Sequence, residues 1–181
     1  MTTTLQQRRE AERRKYLQLQ PRGYGGTNHG RRAITTVLLW QPRFAVDFGC
    51  GNNAFIGELR RRGVDGLGVD FANPEADLLV PMHAVPLASG IAEVVTSFDA
   101  MEHLLPEDVD PVLTEMKRVA TPGGGGGGRF VFSICTRPSR ITVEGQNLHA
   151  TVQPLDWWLE RIYRVGHVET VTQYITGTFH A

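Results

Sequence analysis

The chain has 181 residues, 41% of them hydrophobic, which is enough for one domain with a core of its own. Basic and acidic side chains balance at 19 each, so the molecule as a whole is no polyanion binder. Two cysteines exclude a disulfide framework, no apolar run approaches the ~20 residues of a bilayer span, and the amino terminus is charged where a signal peptide is apolar. The expectation is a cytoplasmic protein with no membrane partner.

In chain order, residues 5–19 have helix-forming composition but a thin apolar stripe (Leu5, Tyr16, Leu17, Leu19), which predicts a largely exposed helix. Residues 1–32 carry Arg8, Arg9, Arg13, Arg14, Lys15, Arg22, Arg31 and Arg32 against Glu10 and Glu12. A basic arm (1–32) therefore precedes an acidic body (33–181). Such an arm suits either contact with phosphate or closure over the body as a solvated helix. A glycine-rich break spans 23–30, and Ile34–Trp40 reads as a buried helix ending before Pro42.

Strand and helix signals then alternate. Phe44–Phe48, Gly66–Asp70, Leu78–Val80, Val94–Phe98, Arg129–Cys135, His167–Gln173 and Ile175–Phe179 read as strands. Ala54–Arg62, Pro106–Ala120 and Pro154–Arg164 read as helices. The alternation predicts a mainly parallel α/β sheet with helices on both faces. Six glycines, Gly123–Gly128, lead into Arg129 rather than the Lys-Ser/Thr of a phosphate-binding loop, and read as a passive linker.

The ligand side of such a sheet lies beyond the carboxyl ends of its strands. There, Asp47-Phe48-Gly49-Cys50-Gly51 leaves the first strand through two glycines, where the backbone can approach a ligand closely. Nineteen residues past Gly51, Asp70 ends the second strand, placed to accept from both hydroxyls of a ribose. VDFGCGNNAFIGEL (46–59) resembles the first motif of class I S-adenosylmethionine-dependent methyltransferases, and GVD (68–70) resembles their second. HAVPLASGIAEVVTSFDAMEHLLPED from His83 and ATPGG…FVFSI are similar to their later motifs, so the resemblance runs over about 43–135. It implies a Rossmann-like three-layer α/β/α sandwich with an antiparallel last strand. It also implies Asp47, Gly49, Cys50, Gly51, Asp70, Phe71, His83, Ala84 and Phe98 around the cofactor. The family's third glycine is Asn53 here. A pyrophosphate cofactor wants the full glycine pattern, so a dehydrogenase is the weaker alternative; a non-catalytic cofactor-binding subunit is another.

For the chemistry, Asp99, Glu102 and His103 would share one face of a helix. Asp-x-x-Glu also reads as a helix capping box. The same stretch resembles the metal-binding segment of small-RNA 2′-O-methyltransferases and ubiquinone-pathway O-methyltransferases. That resemblance implies Mg²⁺ or Mn²⁺ on Asp99, Glu102, His103 and His149, with Glu102 and His103 as catalytic groups. Arg137 and Arg140 are candidates for holding an anionic acceptor, and one of Trp157 and Trp158 for walling its site. Tyr24 is a candidate cover for the cofactor. Cys50 and Cys135 read as packing residues too far apart to bond. The acceptor is open between a nucleic acid and a small molecule, and the oligomeric state is open too.

Overall fold

The computed structural model describes residues 3–122 and 128–181, so the linker reading of the glycine run falls almost wholly outside the described residues. Seven strands form one sheet: Phe44–Phe48 (β1), Asp65–Asp70 (β2), Leu78–Leu79 (β3), Val94–Phe98 (β4), Arg129–Ser133 (β5), Gly166–Val171 (β8) and Ile175–Phe179 (β9). Their order is β3-β2-β1-β4-β5-β9-β8. Thr142–Val143 (β6) and Gln146–Asn147 (β7) make a separate small hairpin. Neighbours from β3 to β5 pair in parallel, whereas β9 runs antiparallel to both β5 and β8. The expected antiparallel last strand is thus inserted between two others and does not form the edge.

Five helices cover the sheet: Leu5–Leu19 (α1), Ile34–Leu39 (α2), Ala54–Arg61 (α3), Pro106–Val119 (α4) and Leu155–Val165 (α5). Side chains alternate across a strand, and the core divides accordingly. Val46, Phe48, Val95, Phe130 and Phe132 face Val109, Val112, Leu113 and Met116 of α4 and Trp158 and Ile162 of α5. Ala45, Val94 and Val131 face Ile34 and Val37 of α2 and Phe55, Ile56 and Leu59 of α3. This is the three-layer α/β/α sandwich.

The arm follows the second of its two expected courses: α1 lies over the body, with Tyr16 and Leu19 buried in a third apolar cluster with Ala72, Val143 and Leu148 and most of its other side chains exposed or half-exposed. Burying two such side chains is worth about 1.5–3 kcal/mol each. The Arg8–Glu107 ion pair joins two solvent-exposed side chains, where water and salt screen it. Apolar packing, more than charge, therefore seats α1 on the body, above the carboxyl ends of the strands. Among the described residues no helix is long and apolar enough to cross a membrane.

Candidate active site

The turn leaving β1 is held by the neighbouring strand. The amides of Gly49 and Cys50 both donate to the Val69 carbonyl, at 2.8 and 3.0 Å. Gly51 has φ +54°, and a Cβ there would lie 2.6 Å from the Gly25 carbonyl of the arm. Glycine is required on both counts. The same Gly25 carbonyl accepts from the Asn52 amide at 3.1 Å. Asn53, in place of the family's third glycine, takes a left-handed φ of +59° and reaches across β2 to donate to Asp77 at 2.8 Å. Any Cβ at Gly68 would collide with that side chain. The close approach of helix and sheet thus comes from Gly68 instead.

Two acids face the loop. The Asp70 carboxylate accepts from the Gly51 amide (3.1 Å) with one oxygen and from the Ala72 and Asn73 amides (2.8 and 2.9 Å) with the other. Burial raises its pKa and these amides oppose the rise. The Gly51-bonded oxygen keeps acceptor capacity for a ribose hydroxyl. Asp47 is buried and accepts from the Thr96 hydroxyl at 2.7 Å. Burial pushes its carboxyl up to about 7, with the Thr96 bond opposing and the Asp70 charge adding. A ligand ammonium is the group that such an acid lacks.

A cavity of about 850 Å³ opens above these groups. Asp47, Gly49, Cys50, Gly51, Asp70, Phe71, His83 and Phe98 all line it, but Ala84 does not. Met82, unforeseen, takes a place there. The arm supplies Tyr16, Tyr24 and His29, and Arg13 Nε donates to the Phe71 carbonyl at 2.8 Å. Arg137, Arg140, Trp157 and Trp158 lie outside the lining. Trp158 is core, and Trp157 stacks under the Arg161 guanidinium, 3.4 Å from its ring centroid. Cys50 and Cys135 are free thiols, as expected.

The segment after β4 differs from its sequence reading. Pro106 forces Leu105 into extended backbone, so only a 3₁₀ turn, Met101–His103, fits where a longer helix was expected. Asp99 lies outside it at φ +47°, and the turn has no side-chain cap, so neither the capping box nor the shared helical face forms. Asp99 accepts from the Ser133 hydroxyl (2.8 Å) and pairs with His29 Nδ1 (2.8 Å). That bond raises the His29 pKa; Asp99 is held below the usual carboxylate range because His29 and Ser133 outweigh its burial. His103 has both ring nitrogens engaged, Nδ1 donating to the Leu148 carbonyl (3.2 Å) and Nε2 accepting from Tyr24 (3.3 Å). Burial pushes it down to about 4.

Glu102 is fully buried behind the turn; neither oxygen has a donor at full hydrogen-bond geometry, and only its own amide and that of Cys135 come near. Burial pushes its carboxyl up to about 8. It clusters with His149 and Cys135, outside the cavity lining. Of the four expected metal ligands, Asp99 and His103 border the cavity and Glu102 and His149 do not, although the His103 and His149 rings meet edge to face with centroids 4.7 Å apart. Glu102 and His149 have beside them a thiol that sequence reading had assigned to packing.

Residues 46–125 match the family model "Methyltransferase domain". No curated protein sequence matches. Among solved structures, the chain is similar to a 1,6-didemethyltoxoflavin-N1-methyltransferase from Burkholderia thailandensis with bound 1,6-didemethyltoxoflavin and S-adenosylhomocysteine. The TM-score is 0.72 at 12% identity, covering 100% of this chain and 92% of that one. It is also similar to phosphoethanolamine N-methyltransferase 2 of Haemonchus contortus, in complex with S-adenosyl-L-methionine (0.56, 14%, 70% and 34%). A third is the antibiotic-resistance methyltransferase Kmr (0.53, 19%, 77% and 87%). At such identities the likeness speaks for the fold. The family match places a methyltransferase domain over 46–125, the segment that holds the loop and acids described above, and the solved structures extend the likeness of fold over the rest of the chain.

Proposed function

We propose that the acceptor is a small molecule with an N–H or O–H group, methylated inside the cavity while the arm covers it, and that His29 takes its proton. The observation that carries this reading is the seating of the arm: Gly25 bonds to the glycine loop while Tyr16, Tyr24 and His29 line the cavity. Its basic side chains turn largely to protein partners. Arg8 pairs with Glu107, Arg9 with Asp108, Arg14 with Glu10 and Lys15 with Glu12, and Arg13 bonds the Phe71 carbonyl. Five of the arm's eight basic side chains are so engaged, and Arg22, Arg31 and Arg32 have no acidic partner among the described residues; the engagement of the majority favours the lid over the nucleic-acid alternative. The cavity volume is also at the upper end of the ~300–1,000 Å³ typical of small-molecule sites.

S-adenosylmethionine, when bound, supplies an electrophilic methyl group whose transfer leaves the electron pair on sulfur. Asp70 is placed for its ribose and Asp47 for its ammonium. His29 donates Nδ1–H to Asp99, which leaves Nε2 as the basic atom to receive the acceptor's proton. His103, held neutral with both nitrogens bonded, positions Tyr24 instead. His103 has both ring nitrogens in hydrogen bonds, so this reading gives Mg²⁺ or Mn²⁺ no part in the step.

Calorimetry with S-adenosylhomocysteine tests the lid. Tyr24→Ala is expected to weaken binding about tenfold, and oligonucleotides should show no saturable binding even at low salt. Salt-sensitive oligonucleotide binding that disappears when Arg22, Arg31 and Arg32 become alanine would overturn the reading in favour of a nucleic-acid acceptor.

A further inference from the structure

Three chain segments meet behind the cavity wall: the 3₁₀ turn with Glu102, the exit of β5 with Cys135, and residues 148–151. They are tied together by backbone. Thr151 N donates to the Glu102 carbonyl at 2.9 Å, and Thr151 Oγ1 to the Leu104 carbonyl at 2.6 Å. In their midst the Glu102 carboxyl has no exposure and no donor at full hydrogen-bond geometry, only the looser approach of its own and the Cys135 amides. Ionising it there without a partner costs several kcal/mol, a cost that a compensating group beside it, a cation, removes.

The neighbours supply the shape of that group. One ligand atom each from Glu102, Cys135 and His149 lies within 4.8 Å of the others. His149 Nδ1 donates to the Arg137 carbonyl at 2.6 Å. This fixes the tautomer that leaves the Nε2 lone pair free, the second-shell arrangement typical of metal-bound imidazoles. Cys135 Sγ sits 3.6 Å from the same carbonyl. Cys135 and His149 are each only partly buried, which gives an ion a way in.

We infer that Glu102, Cys135 and His149 form a binding site for a borderline-soft divalent cation of the Zn²⁺ class, separate from the cofactor cavity. Thiolate, imidazole and carboxylate together select Zn²⁺ over the oxygen-seeking Mg²⁺ and Mn²⁺. Tetrahedral zinc with bonds of about 2.0–2.3 Å places its ligand atoms roughly 3.3–3.7 Å apart, so the three side chains close inward by about 1 Å. The Cys135 thiol proton and any proton on the Glu102 carboxyl pass to solvent as their bonds to the metal form, and the fourth position is left to water. The ion clamps the segment whose Leu148 carbonyl accepts from His103 and from the Tyr16 hydroxyl. Its effect is to stiffen the wall on which the arm rests, without touching the acceptor.

The test uses the full chain, freed of metal by a chelator. Calorimetry with ZnCl₂ is expected to show one equivalent bound. Co²⁺ is expected to give a thiolate-to-cobalt charge-transfer band. Cys135→Ser should abolish the band and weaken Zn²⁺ at least tenfold, and Glu102→Gln and His149→Ala should weaken Zn²⁺ similarly. Cys50→Ser should leave both signals intact. Absence of saturable Zn²⁺ binding, or a cobalt band that survives Cys135→Ser, overturns the site. So does tight Mn²⁺ binding that ignores Cys135→Ser and is lost in Asp99→Asn. S-adenosylhomocysteine affinity, measured in parallel, reports separately on the methyltransferase reading.

Discussion

Asp70 ends β2 and Glu102 follows β4, and both carboxyls are nearly or wholly out of water. Asp70 is bonded by three backbone amides, whereas Glu102 has only a looser approach from its own amide and that of Cys135, none at full hydrogen-bond geometry. The first is a finished receptor, held rigid and with one oxygen still able to accept. The second is an under-compensated acid with a thiol and an imidazole beside it. What separates them is the local chain: the Asp70 turn presents the Ala72 and Asn73 amides squarely back to the strand end.

This contrast predicts opposite signs for two conservative changes. Asp70→Asn leaves an amide among three N–H donors, so it should abolish measurable S-adenosylhomocysteine binding and lower unfolding stability by about 2–4 kcal/mol in urea titrations. Glu102→Gln removes an unpartnered charge and should stabilise the metal-free protein. A carboxyl whose folded pKa is raised loses stability as pH climbs from the unfolded value of 4.5 to about 8, and is flat beyond. The advantage of the variant should therefore grow across that window, and equal stabilities at pH 9 would break the comparison.

Asp47 sharpens it from the other side. Its folded pKa of about 7 lies above the ordinary 3.8, so Asp47→Asn should gain stability relative to wild type as pH rises from about 4 to 7. The same variant should bind S-adenosylhomocysteine about tenfold or more weakly, because the ammonium loses its counter-charge. A smaller effect is expected at His29. Its imidazole, followed by NMR, should titrate above 6.5 in the wild type and fall back towards that value in Asp99→Asn. If His29 is the proton acceptor, methyl transfer should rise with pH through that same inflection. Smallest is Arg9→Ala, which removes the pair with the nearly buried Asp108. It should loosen the arm by about 1 kcal/mol, read as faster proteolysis of residues 3–32.

The sheet and the cofactor end were legible because their signals are local. Gly49, Gly51 and Asp70 declare themselves within 22 residues, and the spacing of Val109, Val112, Leu113 and Met116 shows the buried face of α4. The acceptor end was not. The Asp99-x-x-Glu102-His103 spacing has meaning only if those residues are helical, and a proline three positions on prevents it. The partner of Asp99 is His29, seventy positions earlier, and the neighbour of Glu102 is Cys135, beyond the end of the adjacent strand β5. Neither pairing leaves a periodic trace. Ala84 was misplaced because the turn after Pro81 brings Met82 and His83 inward and carries Ala84 past the cavity.

The carbonyl of Gly25 rests on the loop that grips the nucleoside, through the Asn52 amide and against Gly51. On the reading proposed above, spent product leaves only after that latch lifts. A turnover rate that tracks solvent viscosity more closely than the reactivity of the acceptor would mark that departure as the slow step.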